Sequence, residues 1–547
     1  MFTENSILIG SNENKDITLL PKLANRHGLI AGATGTGKTI TLKAIAESFS
    51  DMGVPVFLAD MKGDISGLSK IGQPNEKITQ RIEKYDLKNK GFEFKSYPVE
   101  FWDLFGEKGL PVRVTISQMG PMLLSKILNL TEAQQGVLNI IFKVADEESL
   151  LLIDIKDLKS MINHVTENKD KYEPQYGSIA VKSANTILRS LLTLEEQGGN
   201  AFFGEPALEL NDFIQCDDEG KGIINILDAV KLSLAPDLYS TFLLWMLTEI
   251  YETLPEVGDL EKPKFVFFFD EAHLLFDGMN PVFQKKIEQI VRLIRSKGVG
   301  LYFITQSPSD IPEDVLSQLG NRIQHALRAY TPKDQKAVKV AAESFRPNPE
   351  FDTQEVISNL GIGEALVSLL DEEGVPGIVE KVDIIPPQSF TGAIDDAYRQ
   401  ELINISVNKS KYMEAFDRES AYECLLQKVV NSNIPENSQP QTNEIPQGMQ
   451  DIPIQHETVN QEAQQESFEE KPQEQQEERK GFSLQDTIQQ TLGGLDVGNT
   501  TTGTRNSRSR NSGKSEMDKI VQSATNTIVR EVSRQITRGL FGQLKLK

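Results

Sequence analysis

The chain has 547 residues, 39% of them hydrophobic, with a mean hydropathy of −0.33: enough apolar material for two or three packed domains, alongside segments too polar to pack. A formal charge of −22 and a pI near 4.9 exclude a protein that coats nucleic acid over its whole surface, though not a ring whose channel alone is basic. Two distant cysteines (Cys216 and Cys424), no leader of basic then apolar residues, and no run near about 18 apolar residues point to a reduced, cytoplasmic protein with no transmembrane segment.

In chain order, the first element is a short apolar strand, Gly28-Leu29-Ile30-Ala31. It runs into Gly32-Ala33-Thr34-Gly35-Thr36-Gly37-Lys38-Thr39, a GxxxxGK[ST] pattern that opens a helix reaching Ser50. Glycines 32, 35 and 37 let the backbone turn tightly, so that several N–H groups point at one anion, and the helix adds the positive end of its dipole. Lys38 can then reach the β- and γ-phosphates, and the Thr39 hydroxyl can ligate Mg²⁺. The eight residues read as a binding site for ATP or GTP. Val56-Phe57-Leu58-Ala59 is the next strand, ending at Asp60, and strand–loop–helix–strand is the start of a parallel α/β sheet. In Asp60-Met61-Lys62-Gly63-Asp64 the carboxylates and Lys62 face the nucleotide edge of such a sheet. A turn of solvated charges explains them equally well.

Val112-Arg113-Val114-Thr115-Ile116 predicts a further strand. From Pro121 to Gln197 the apolar spacing is three and four, which predicts a helical insertion spanning about 118–215. Strand character returns at Gly222–Leu227, and Leu238–Leu254 is a strongly apolar helix.

Lys264–Phe269 is a continuous hydrophobic run, as in a strand buried on both faces, and it ends in Asp270-Glu271. In an ATPase the acid at such a strand tip holds Mg²⁺ and the next polarises the attacking water, roles that fit Asp270 and Glu271. The competing reading, an acidic helix cap, gives way because the phosphate loop is present. His273 is either structural or a relay of the γ-phosphate state. The helix Val282–Arg295 carries Arg292 and Arg295 on one face, and in a ring such an arginine can enter a neighbour's site, where a finger is worth about 10³–10⁵ in rate. Gln306 follows the strand Val299–Ile304, placed to report hydrolysis by switching hydrogen-bond partners; a plain loop amide is the alternative.

Arg322–Ala329, Glu364–Leu370 and Gly377–Val382 complete the predicted strands, the last two joined by an Asp-Glu-Glu-Gly turn. The domains are then an ATPase domain at 1–395, a helical extension at 396–430, a disordered Gln/Glu/Asn-rich linker at 431–513 and a basic amphipathic helix at 514–547. In that last helix Ile520, Ala524, Ile528, Val532 and Ile536 recur every four residues beside Lys519, Arg530, Arg534 and Arg538, a face suited to docking on its own domain, a sister subunit or another protein, with contact to a membrane surface or nucleic acid as the alternative.

Together, GATGTGKT at 32–39, ADMKGD at 59–64, FFFDEAHLLF at 267–276, RLIRSKGVGLYFITQSPSDIP at 292–312 and QLGNRIQHALRAYTP at 318–332 resemble the HerA-like ATPases of the HerA/FtsK group, most of all a bacterial HerA-like helicase branch. The resemblance spans about residues 5–395. It implies a RecA-like core with a central, mostly parallel sheet flanked by helices, ATP with Mg²⁺, and a homo-oligomer, a hexameric ring, that pumps double-stranded DNA. The FtsK side of the group carries its finger 25 residues beyond the first strand-tip acid, which here is Arg295. One departure stands out: 31 residues precede Gly32, too few for the β-barrel with which HerA meets its nuclease partner.

Two functions are therefore weighed. The first is an ATP-hydrolysing motor that translocates on or unwinds DNA. The second is an ATP-switched ATPase that remodels or assembles a protein partner without nucleic acid, which the net charge, the missing barrel and the terminal helix favour.

Overall fold

Residues 1–3, 5–277 and 281–432 are described in the computed structural model, all within a unit running Met1–Ile434. The expected linker from 433 onward and the basic helix at 514–547 lie outside the described residues. Among the described residues, thirteen strands form one sheet: β1 (Phe2–Thr3), β2 (Ser6–Ser11), β3 (Asp16–Leu19), β4 (Gly28–Ala31), β5 (Val56–Asp60), β6 (Val99–Asp103), β7 (Leu110–Pro111), β8 (Ile224–Asp228), β9 (Phe265–Phe269), β10 (Val299–Thr305), β11 (Asn321–Gln324), β12 (Glu364–Ser368) and β13 (Glu380–Ile384). Their order is β1-β2-β13-β12-β11-β4-β10-β9-β5-β8-β6-β7, with β3 paired to β2.

From β11 through β4, β10, β9, β5, β8, β6 and β7 neighbouring strands are parallel; the β1, β2, β3, β12 and β13 pairings are antiparallel. Every residue of β4, β5, β8, β9 and β10 is buried, as parallel strands covered by helices on both faces require. Their aromatic rings lock adjacent strands: Phe57 stacks on Phe267 at 4.6 Å, and Phe269 on Phe303 at 5.0 Å. This is the mostly parallel α/β core expected of a RecA-like phosphate-loop protein.

Across most of the stretch expected to be helical, 118–215, the chain forms a run of helices from Ile116 to Phe202, including Ile116–Ile127, Glu132–Glu147, Ile155–Glu167 and Val181–Glu196. Residues 396–432 contain three further helices, Asp396–Ile405, Lys409–Tyr412 and Ala421–Ser432; the last packs against Ile155–Glu167, where Asp157 accepts hydrogen bonds from the Ser420 hydroxyl and the Tyr422 N–H. Among the described residues no helix is long and apolar enough to cross a membrane.

Two expectations fail for local reasons. Val112–Ile116 is not a strand: Val114 makes one isolated bridge to Phe203, and Thr115 then caps the helix Ile116–Ile127 through a reciprocal pairing with Gln118. The strand expected at Arg322–Ala329 covers Asn321–Gln324 alone, because its partner β4 ends at Ala31; beyond it the chain runs beside the phosphate loop, His325 N–H donating to Ala31 O and Ala326 O accepting the Ala33 N–H. The strand order sets the site. β4, β10, β9 and β5 lie side by side and parallel, so the residues that follow them share one edge.

Candidate functional site at the carboxyl edge of the central strands

The segment between β4 and the helix Lys38–Asp51 is shaped by its glycines. Gly35 and Gly37 have φ of +77° and +117°, left-handed values that favour glycine. A Cβ on Gly32 would stand 2.5 Å from the Cβ of His325, so no larger residue fits there. The loop is tied down by its own backbone: Gly32 N–H donates to Thr305 O at 3.2 Å, Ala33 N–H to Ala326 O at 2.8 Å and Gly363 N–H to Thr36 O at 3.0 Å. The Thr36 hydroxyl donates to Ala33 O at 2.7 Å. Thr34 and Gly35 remain exposed at the tip, and Thr39 is half-buried in the first helical turn.

Lys38 is buried, and its ammonium donates to Gly32 O at 2.6 Å and Ala33 O at 3.1 Å. The amine thus curls back over the loop it belongs to. Burial lowers its pKa, while Glu271 and Asp270 act against that shift, which brings the two acids into the electrostatic field of the lysine.

Sheet register explains how. Ala31 pairs with Thr305, and Phe303 with Phe269, so Gly32, Gln306 and Asp270 follow three adjacent parallel strands spaced about 4.8 Å apart, Gly32 level with Gln306 and Asp270 level with Ile304. Burial, and then the charge of Glu271, push the Asp270 carboxyl up to about 7. Its Oδ1 accepts the Glu271 N–H at 3.0 Å, and its carbonyl accepts the hydroxyl of fully buried Tyr239 at 2.9 Å. Glu271 has a φ of +47°, a left-handed conformation that a side-chain-bearing residue holds at some cost. Gln306 Nε2 donates to Glu271 Oε2 at 3.5 Å. His273 Nδ1 lies 3.6 Å from the same oxygen, beyond hydrogen-bonding distance.

Aspartates end β5, β6, β8 and lead off from β9, and their partners separate them. Asp60 is buried and accepts the N–H groups of Lys62, Gly63 and Ile65 at 3.2, 2.7 and 3.0 Å. Asp103 accepts those of Phe105, Glu107 and Lys108, and Asp228 pairs with buried Arg399 at 3.0 Å. These three hold turns or a helix in place. So Asp60 serves its own loop and is not a solvated charge, whereas exposed Lys62 still acts electrostatically on Lys38 and Asp270. Asp270 is left facing the phosphate loop with its carboxylate little engaged. One hydroxyl and one carboxylate beside a phosphate cradle suit Mg²⁺, which keeps several waters and binds through few protein groups plus phosphate oxygens. Two adjacent acids, one pushed to about 7, are what a divalent cation would relieve.

Arg295 is elsewhere. It lies in the turn Ile294–Lys297 before β10, and its carbonyl accepts Asn25 Nδ2 at 3.5 Å. The seven residues of β10 put it about 20 Å from the carboxyl edge, too far to serve the phosphates of its own chain. Arg292 is exposed on the helix Pro281–Leu293 and points into a surface hollow shared with Lys285, Glu288, Asp314 and Gln318. The two arginines are thus on a helix and on the turn after it.

Tyr239 and His325 pack at this place as well; Tyr239 has no sequence signal, and the run QLGNRIQHALRAYTP contains His325 without giving it a role. His325 touches the loop only because β11 lies beside β4.

Residues 5–465 match the model of the family described as Helicase HerA-like C-terminal. Among curated proteins, the chain is similar to the DNA double-strand break repair helicase HerA of Sulfolobus acidocaldarius, 24% identical over 408 residues, covering 71% of this chain and 69% of that one. It is likewise similar to the HerA of Sulfurisphaera tokodaii, 25% identical over 415 residues, covering 72% and 71%. Among solved structures, the plasmid coupling protein TrwB in complex with the GTP analogue GDPNP aligns with a TM-score of 0.48 at 13% identity, over 72% of this chain and 92% of that one.

Proposed function

The chain belongs to the HerA-like helicase C-terminal family, and from that premise we propose that it is an ATP-hydrolysing motor that translocates on, or unwinds, double-stranded DNA as a homo-oligomeric ring. One observation carries the reading: the carboxyl ends of β4, β10 and β9 bring the Lys38 loop, Gln306 and the Asp270–Glu271 pair to one place. The backbone N–H groups of Gly32–Thr39 cradle the phosphates, and Lys38 leaves its own carbonyls to meet the β- and γ-oxygens. Thr39 and Asp270 would hold Mg²⁺, which neutralises charge on the phosphates when bound. Glu271 orients the attacking water and takes its proton; Gln306, hydrogen-bonded to that acid, senses whether the γ-phosphate is present. Arg295 reaches the phosphates of a neighbouring copy.

The test is the ATPase rate with and without duplex DNA across a salt series, with the mass in solution measured in parallel. A motor of this kind shows turnover raised several-fold by DNA, an effect that falls steeply with salt. Turnover indifferent to DNA at every salt concentration would overturn the DNA reading and leave the protein-remodelling ATPase, which the charge of −22 favours.

A further inference from the structure

His325 stands directly after β11 and is fully buried beneath the phosphate loop. Its N–H donates to Ala31 O at 2.7 Å, the last residue before the loop, and its Cβ fills the space that a side chain on Gly32 would need. The ring then passes Gly37, where an added Cβ would meet His325 Cε1 at 3.5 Å, and reaches the first turn of the following helix. Nδ1 lies 3.0 Å from Glu364 O and Nε2 lies 2.9 Å from the Thr41 hydroxyl. A carbonyl only accepts, so Nδ1 carries the proton and Nε2 accepts from Thr41. The ring therefore joins three parts that must stay in register: the base of the loop, the start of the helix, and the Gly363–Glu364 segment whose Gly363 N–H holds Thr36 O at 3.0 Å.

We propose that His325 is a positioning residue for the triphosphate: its ring, clamped between Glu364 O and Thr41, sets the curvature of the Gly32–Lys38 loop without itself touching the nucleotide. Glycines permit the loop's dihedral angles but do not select them. The selection comes from a rigid side chain on the neighbouring strand. Because the loop grips the phosphates equally before and during hydrolysis, loosening the clamp weakens nucleotide binding and leaves the chemical step alone.

The inference rests on the ATPase reading, and the test separates the two. In the full-length protein, His325→Asn retains a donor for Glu364 O and removes the contact to Thr41, while Thr41→Val removes the hydroxyl at constant shape. Each is expected to raise the KM for ATP and the dissociation constant for ADP about five-fold, the effect of one neutral hydrogen bond, with kcat within about two-fold. The double variant should be no worse than the weaker single one, since both break the same contact. Lys38→Ala serves as the control. Loss of ADP binding in Lys38→Ala with wild-type KM in both Thr41→Val and His325→Asn would overturn the positioning role alone. Unchanged ADP binding in Lys38→Ala would overturn the underlying reading of the loop. Should His325→Asn fail to fold, Thr41→Val by itself decides.

Discussion

Gln306 and Glu271 are joined across two neighbouring strands, the amide of one donating to the carboxylate of the other at 3.5 Å. A glutamate held this way, on a left-handed backbone, is restrained until something draws the amide off. Glu271→Gln removes the proposed base while preserving size and hydrogen bonding. It should lower kcat by about 10²–10⁴ with KM for ATP little changed, so that ATP stays bound and intact. Steady-state kinetics together with the nucleotide recovered from the filtered protein check this; turnover near the wild-type rate would mean that another carboxylate is the base.

The distance of Arg295 from its own phosphate loop leads to a complementation experiment. Arg295→Ala alone should lose about 10³ in kcat, and Glu271→Gln alone is also inert. Mixed subunits rebuild some interfaces in which an intact Glu271 meets an intact Arg295 from its neighbour, and ATPase activity should return in the mixture. Failure of every mixing ratio to recover activity would show that the arginine does not act between subunits.

Two histidines make stability depend on pH. His27 is fully buried, accepts the Leu301 N–H on Nδ1 at 3.1 Å and donates from Nε2 to Val291 O at 2.8 Å, so its neutral ring carries the opposite tautomer to that of His325. Burial lowers both pKa values to about 4; Arg295 and Arg26 add to the effect at His27, and Lys38 does so at His325. An unfolded-chain imidazole titrates near about 6.5. Folding is therefore unaffected by these groups above that pH and loses stability as the pH falls from there toward 4, by up to about 3 kcal/mol per ring. His27→Asn keeps an acceptor for Leu301 and tolerates the residue's φ of +60°. Thermal midpoints between pH 8 and pH 5 should fall less steeply in that variant than in the wild type; parallel curves would refute the assignment.

What sequence reveals of such a protein follows from how each element is buried. Phe265–Phe269 and Val299–Thr305 are legible because central parallel strands are apolar on both faces. Val99–Asp103 is a parallel strand too, next to the short edge strand Leu110–Pro111, yet it escapes because Glu100 and Asp103 break the apolar run; the first is met by the Ser406 hydroxyl and the second caps its own turn. β2 and β3, near one edge of the sheet, are short and mixed in polarity and offer little pattern. At the site, local spacing suffices for Gly32–Thr39 and for Asp270–Glu271, since each lies within one loop. It cannot supply His325, which meets Gly32 across strand order, or show that Asp60 caps its own turn, because both depend on what the chain packs beside them.

Asp60 and Asp270 close two adjacent parallel strands, and their substitution should have opposite consequences. Asp60 accepts three backbone N–H groups in a buried turn, so Asp60→Ala leaves those donors unpaired and should cost about 1–3 kcal/mol of stability. Asp270 engages one N–H through its side chain and sits against Glu271 with its carboxyl pushed up to about 7. Asp270→Asn removes an unfavourable buried charge and retains an acceptor, so the thermal midpoint at pH 8 should hold or rise by a few degrees while ATPase activity falls by at least about 10². Thermal unfolding and ATPase assays on the two variants side by side make the comparison. A stable but inactive Asp270→Asn beside a destabilised Asp60→Ala would separate the acid that serves the phosphate from the acid that serves the fold; a loss of stability in both, with activity per folded molecule retained, would show that neither meets the nucleotide.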